Sequence, residues 1–284
     1  MLQQFWQLAQ NPIVYAIPVF VLFTFAEAAA LRERRPSSRG YDRVDTTENV
    51  LAGAVSLLFM FGFKLATLVL FTAMWLYLTP LRVPTDEWWS WALLIVLVDL
   101  TWYCNHRFSH RFRIGWAGHR VHHSSTHFNF SSAFRLKWNP WSEAIFWLPL
   151  PLLGFEPWTI YVAYGFNMVY QFFLHTETVE TLPKPVEYLM NTPSHHRVHH
   201  STDPMYRDKN YGGMFIVWDR LFGTFQAERH RADYGLVGAR PDDSMLQLQY
   251  GGYADILSDL RRARGLRARI TCVFAPPESV PADM

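Results

Sequence analysis

Histidine is the residue type whose spacing in this chain points to chemistry. His119-Arg120-Val121-His122-His123 and His196-Arg197-Val198-His199-His200 repeat one phrase, and a His106-x-x-x-His110 pair precedes the first copy. The chain has 12 histidines in 284 residues. Three at fixed spacing then arise by chance only about 0.02 times over such a length, so two boxes are far from accidental. In an α-helix, positions i, i+3 and i+4 share a face. Each H-x-x-H-H box is therefore expected to aim three imidazoles at one point, and the H-x-x-x-H pair two. Eight imidazoles exceed the roughly three protein ligands of a catalytic zinc ion and suit two metal ions. Neutral imidazole binds iron, zinc, copper and nickel alike, so ligand type alone leaves the metal open.

Other residues fall into place around the boxes. His175 closes the apolar run Gln171-Phe172-Phe173-Leu174-His175, at the depth where the boxes meet, and is expected as a ninth ligand. Asp99, Tyr103, His106 and His110 lie at offsets 0, 4, 7 and 11, one stripe of a helix. An aspartate near a membrane boundary is costly unless paired, and ligating histidines donate their other N–H to such groups. Asp99 is therefore expected to orient a metal-bound imidazole. His195, four residues before His199, and His127, in the loop after the first box, are expected just outside the ligand set. His230, among surface charges, is expected to be solvated. Arg120 and Arg197 cannot ligate a metal and are expected to form ion pairs or meet lipid headgroups.

The elements that must position these groups are apolar. Half of the residues are hydrophobic and 17% are aromatic. Residues 12–31 form a run broken only by Thr24 and Glu27, close to the ~20 residues that cross a bilayer. Residues 50–78, with Lys64 near the middle, 88–104 and 157–174 form three more. Residues 144–153, with Pro149 and Pro151, read as a broken or re-entrant segment. Trp88, Trp89 and Trp91 suit an interfacial belt. Four such runs are hard to absorb in a soluble core of this size. The expected fold is all-α: a multi-pass transmembrane helical protein with a cytoplasmic cap that carries the histidine boxes. The cap draws on residues 107–139 and 179–253, and Thr192 with Pro193 should start the helix of the second box.

Charge sets the orientation. No positive charge precedes residue 12, so no cleavable signal is expected, while Arg32, Arg34, Arg35, Arg39 and Arg43 follow the first run and mark a cytoplasmic loop. The third run then returns to the cytoplasm and delivers His106, and a hairpin over 144–174 brings the second box to the same face. The boxes and the C-terminus are expected on the cytoplasmic side of a bacterial inner membrane or the endoplasmic reticulum. Cys104 and Cys272 give no disulfide framework. The arginines of residues 260–269 suit either anionic headgroups or a solvated tail, and nothing suggests nucleic acid. Residues 275–284, with three prolines, read as disordered. Three stretches are expected: 1–49 with the first span and basic loop, 50–228 with the metal site, and 229–284 as a basic tail.

With these residues in view, the chain resembles the fatty acid hydroxylase and sterol desaturase superfamily of membrane di-iron oxygenases, and within it the alkylglycerol monooxygenase-like branch. The resemblance covers residues 95–228. It rests on the three histidine motifs and on Asn191-Thr192-Pro193-Ser194-His195-His196, Asp208-Lys209-Asn210-Tyr211-Gly212-Gly213 and Trp218-Asp219-Arg220-Leu221-Phe222-Gly223-Thr224-Phe225. It implies two iron ions held by histidine, O₂ as co-substrate, and hydroxylation or desaturation of a fatty acyl, sterol or ether lipid. It also implies electrons from a separate partner: a cytochrome b5-like protein, a ferredoxin or a flavin reductase. Trp138, Trp141, Trp147 and Phe166 are candidates to line a lipid slot. Arg111 follows His110 where ether-cleaving members carry an acidic residue. The competing reading is a membrane metal transporter or sensor without redox catalysis. A zinc hydrolase is disfavoured, because Arg120 and Val121 stand where H-E-x-x-H would put its glutamate.

Overall fold

The apolar runs become the long helices. A computed structural model describes residues 11–34, 40–238, 243–277 and 279. Helix α1 (Pro12–Arg34) begins with a proline, whose missing N–H falls among the first-turn donors that a helix leaves unbonded. Asn11 precedes it, accepting from Ile13 N at 3.1 Å and donating to Tyr161 O at 2.8 Å. Helix α2 (Arg43–Tyr77) is capped by Asp42, which accepts from Val44 N and Asp45 N. Helix α3 (Trp88–Arg111) runs unbroken from the tryptophan cluster to the first histidine pair. After Phe112 in extended conformation comes α4 (Arg113–His119).

The segment with two prolines is broken, as expected, into α5 (Ala144–Trp147) and α6 (Pro149–Leu152), and α7 (Pro157–Phe172) follows. Leu68, Phe71 and Met74 of α2 meet Leu94 and Val98 of α3, Trp147 and Leu150 of α5 and α6, and Ile160 and Ala163 of α7 in the main core. A second cluster joins Ala16 and Phe20 of α1 to Phe130 and Phe172, with Phe20 and Phe172 stacked at 4.1 Å.

α1 and α2 are long and apolar enough to cross a membrane, and only 17% and 28% of their apolar windows are buried within the protein. A soluble core helix would bury most of that surface, and these helices instead turn Leu22, Phe25, Leu58 and Phe61 outward. The other two runs fall short for identifiable reasons. α3 gives its last turns to His106, Arg107, Ser109, His110 and Arg111. α7 has 16 residues, about 24 Å of helix against a hydrocarbon layer of about 30 Å.

The polar half contains α8 (Lys184–Leu189), α9 (Pro193–His199), α10 (Val217–Leu221), α11 (Met245–Arg262) and α12 (Leu266–Phe274). Among the described residues there is no strand, only isolated bridges at Met190–Phe215 and Ser201–Tyr234. Thr192 occupies the N-cap of α9 but makes no capping bond to the backbone; its hydroxyl pairs with Ser194 Oγ at 3.1 Å. α11 starts at a reciprocal Ser244–Gln247 capping box and packs closely on α4. A side chain at Gly252 would come within 2.9 Å of Ala117 Cα, and Arg113 bonds Asp259 at 2.6 Å. The C-terminal helices thus brace the short helix that presents His119. The basic-loop residues 35–39, and 278 and 280–284 of the expected disordered tail, lie outside the described residues.

Candidate metal centre

Nine histidines converge in two groups. His106, His110, His119, His123 and His199 form one, and His122, His175, His196 and His200 the other. Within each group one ring nitrogen per residue lies within 4.8 Å of all the others. Opposite ligands on one ion with bonds of about 2.1 Å are about 4.2 Å apart, and adjacent ones about 3.0–3.4 Å. The observed separations match: His106 Nε2 to His119 Nε2 is 3.0 Å, His119 Nε2 to His123 Nε2 is 3.1 Å, and His196 Nε2 to His175 Nε2 is 3.1 Å. The groups adjoin, with the His123 and His200 rings stacked at 4.3 Å.

The boxes do not each serve one point, which corrects the expectation from helical spacing. His119 and His123 face the five-membered group and His122 the other. In the second box His196 and His200 share a group while His199 joins the opposite one. Consecutive residues of a helix are about 100° apart, so the adjacent histidines of each box straddle two sites. In the first box the α-helix also ends at His119, and residues 122–124 form a 3-10 turn. The H-x-x-x-H pair does serve one group, and His175 joins the other.

Hydrogen bonds fix the tautomers. His106 Nδ1 lies 2.9 Å from Tyr211 O, His175 Nδ1 2.9 Å from Gln171 O, His199 Nδ1 3.0 Å from Lys209 O, and His122 Nδ1 3.3 Å from Arg135 O. A carbonyl only accepts, so Nδ1 carries the hydrogen in each, and Nε2 presents a bare lone pair. His122 Nε2 and His175 Nε2, both bare, face each other at 3.3 Å. Two lone pairs at that distance repel unless a cation lies between them. The Nε2 atoms of His110, His199 and His200 are buried with no hydrogen-bond partner, an expense that a metal ion would remove. Burial keeps all nine below the usual imidazole range, helped by the charges of Lys137 and Arg135 at His122, which is pushed down to about 4, and by neighbouring imidazoles at the other eight, of which His199 is pushed down to about 3. Neutral imidazole is the form that binds metal.

Asp99 does not orient an imidazole. It is fully buried and accepts from Asn167 Nδ2 at 2.6 Å, Met214 N at 2.5 Å, Phe215 N at 3.1 Å and Trp218 Nε1 at 2.9 Å. Asn167 lies on α7 and the other three partners belong to the segment that supplies Tyr211 O, so Asp99 supports His106 at one remove. Asp219 anchors the same loop, accepting from Tyr211 N, Gly212 N and Thr224 Oγ1. Asp208 and Asn210 take left-handed backbone angles, φ 60° and 55°, on either side of Lys209, whose carbonyl meets His199. Asn191 Nδ2 holds Gly212 O at 2.6 Å. The three flanking phrases thus build the loop that positions His106 and His199.

His195 and His127 also stand apart from both groups. His195 Nε2 pairs with Glu187 at 3.0 Å. His127 shares a bond with Thr126 Oγ1 at 3.2 Å. His230 is half-exposed and stacks on Tyr206 at 4.7 Å. Arg197 forms the expected ion pair, with Glu228 at 2.6 Å, and also donates to Thr176 O at 3.0 Å, directly after His175.

Sequence reasoning passed over Glu27 and Arg135. Glu27 accepts from Phe130 N, Tyr41 Oη and Thr176 Oγ1, tying α1 to the segment after His175. A lone carboxylate in an apolar run was its signal. Arg135 is 2% exposed, bonds Asn49, Ser124, Asp45 and Glu48, and gives its carbonyl to His122. No spacing marked it.

Residues 91–224 match the model of the fatty acid hydroxylase family. The chain is 37% identical over 238 residues to an alkylglycerol monooxygenase of Danio rerio, covering 84% of this chain and 53% of that protein. It is 35% identical over 235 residues to one of Homo sapiens, covering 82% and 52%. An ornithine lipid hydroxylase of Rhizobium tropici is 27% identical over 177 residues, covering 57% and 51%. The chain spans about half the length of the curated relatives it matches. No solved structure matches.

Proposed function

Residues 91–224 belong to the fatty acid hydroxylase family, and on that footing we propose that the chain is a membrane-bound, O₂-dependent oxidoreductase that hydroxylates or desaturates a lipid C–H bond. The observation that carries this reading is the pair of histidine groups, with His122 and His175 presenting bare nitrogens to each other at 3.3 Å. The nine histidines are the ligands of two metal ions. Five imidazoles exceed the four donors of a tetrahedral zinc site, and the family match makes iron the metal that the two groups would hold. When bound, the metal pair supplies activation of O₂ for attack on the lipid.

The chain's own work is positional. Backbone carbonyls of Tyr211, Lys209, Gln171 and Arg135 hold four imidazoles in the ligating tautomer. Burial keeps the site dry and the imidazoles neutral. α1 and α2 lie in the bilayer, and the box-bearing half faces the cytoplasm as the cap of a multi-pass fold. Residues 50–228 form the metal-bearing unit between the first span with its basic loop and the basic tail. A separate protein supplies electrons. The lipid is a fatty acyl, sterol or ether lipid. The names of the relatives, alkylglycerol monooxygenase and ornithine lipid hydroxylase, make hydroxylation the leading choice over desaturation. The test is comparative lipid mass spectrometry of cells with and without the gene. A lipid that gains one oxygen atom or loses two hydrogens only in its presence is the expected result. Identical lipid profiles, with the protein expressed and its electron donor present, would overturn the reading.

A further inference from the structure

The arginine-rich segment at the junction of α11 and α12 has no part in the metal centre. Arg261, Arg262, Arg264, Arg267 and Arg269 are all exposed, and no acidic residue occurs between 260 and 277. Asp259, just before them, gives its carboxylate to Arg113 at 2.6 Å. Gly265 takes φ 86°, a left-handed angle that glycine adopts freely, and turns the chain from α11 into α12.

α12 is two-sided. Cys272 is fully buried on its inner face, whereas Leu266, Ile270 and Phe274 are 75%, 50% and 48% exposed. Their spacing by four keeps these three within about 80° of one another around the helix, and Arg267 and Arg269 fall on opposite sides of the stripe. Large apolar side chains turned outward together mark a contact surface. A stripe edged by arginines is the pattern of a helix that lies in a membrane interface, with its apolar side chains among the upper acyl groups and its guanidinium groups among the phosphates.

The depth of α12 agrees with that pattern. α3 has 24 residues, about 36 Å of helix, against roughly 40–45 Å for a bilayer with both headgroup layers. With Trp88, Trp89 and Trp91 at one interface, Phe112 at the end of α3 reaches the opposite headgroup layer. α12 is tied at that level: Arg113 N donates to Ala275 O at 3.0 Å, and the Phe112 and Phe274 rings meet edge-on at 6.2 Å.

We infer that the outer face of α12 is a docking surface for anionic phospholipid, with Leu266, Ile270 and Phe274 entering the acyl boundary and the flanking arginines holding headgroup phosphates. The inference rests on the membrane placement proposed above and adds a lipid preference separate from the substrate.

Hydrogen exchange of the full chain, read by mass spectrometry, is compared in nanodiscs of phosphatidylcholine alone and in discs with about one-third phosphatidylglycerol. Each basic side chain at an anionic surface is worth about fivefold in partitioning. The amides of α12 are therefore expected to exchange at least about fivefold more slowly in the anionic discs. The difference should vanish in about 1 M salt, where charges are screened beyond ~3 Å. Arg267→Gln combined with Arg269→Gln should abolish the lipid dependence, and Arg267→Lys combined with Arg269→Lys should keep it. Glutamine and arginine have similar helix propensities, and unchanged exchange in α4 reports that the variant is folded. Exchange of α12 that ignores lipid charge beside a protected α1, or a dependence that survives both glutamines, would overturn this inference alone. Free exchange throughout α1 and α2 would refute the membrane placement on which it rests. Equal slowing by soluble polyglutamate in zwitterionic discs would mark a face for an acidic protein and overturn the lipid assignment.

Discussion

At the scale of single residues, the central observation is a pair of opposed imidazole nitrogens that a bound cation would reconcile. His122 and His175 both direct an N–H at a carbonyl, and their other nitrogens oppose each other. His175→Ala should therefore lower metal content from about two ions per chain to about one, by emptying the four-histidine group. His110→Ala should empty the other group instead. Metal analysis of the two purified variants checks this, and unchanged content in either would show that its histidine is not a ligand. The nine histidines that the structure gathers into two groups all stood out in the sequence, His175 included, because imidazole spacing is rare enough to be noticed. Their partition was not legible, since it depends on the 100° step between neighbours and on the helix ending at His119. The orienting partners were illegible for a different reason. They are backbone carbonyls, which every residue carries, so Asp99 was the visible but mistaken choice.

At the scale of elements, the loop from Asp208 to Asp219 is the support on which His106 and His199 rest. Asp99→Asn would set an amide N–H among groups that already donate to Asp99. The expected loss is about 1–3 kcal/mol of stability, with lowered metal content from loosening Tyr211 O at His106; thermal unfolding and metal analysis together read it. Gly213→Ala should do similar damage, because its Cβ would lie 2.6 Å from Asp99 Oδ1 and 2.8 Å from Trp102 Cδ1. Unaltered melting of both variants would contradict this account of the loop. The phrase Asp208-Lys209-Asn210-Tyr211-Gly212-Gly213 was recognisable in the sequence, but its task emerges only from the left-handed turn at Asp208 and Asn210. Helix α3 was legible throughout: Asp99, Tyr103, His106 and His110 are all buried along it. Of the aromatic residues expected to line a lipid slot, Trp147 lines a small cleft with Tyr161 and Tyr164, whereas Trp141 packs on Phe63, Trp138 stacks on Phe59, and Phe166 turns outward with 49% exposure.

At the scale of the whole molecule, a membrane-facing helical half holds a polar half packed with buried imidazoles. That arrangement makes the metal-free protein acid-sensitive. His122 and His199 titrate near 4 and 3 in the folded chain, below the ~6.5 of an unfolded histidine. Between those values the unfolded state binds protons that the native state refuses, so stability falls as pH drops below about 6.5, by about 1.4 kcal/mol per unit for each such histidine. Melting temperatures of the metal-free protein should be level above neutrality and decline steeply toward pH 4; a flat profile would contradict the buried, neutral site. The all-helical architecture was legible from the apolar runs. Of the four apolar runs, two became helices long and apolar enough to cross a membrane; α3 carries the histidine pair on its last turns, as its sequence stripe indicated, and α7 stops at 16 residues, a length that composition did not reveal. The most direct test of the central claim is the metal stoichiometry of the purified, iron-loaded chain. The account predicts about two iron ions per chain, lost together when His122 and His106 are both replaced by alanine. A fully loaded chain that holds one ion or none would contradict it.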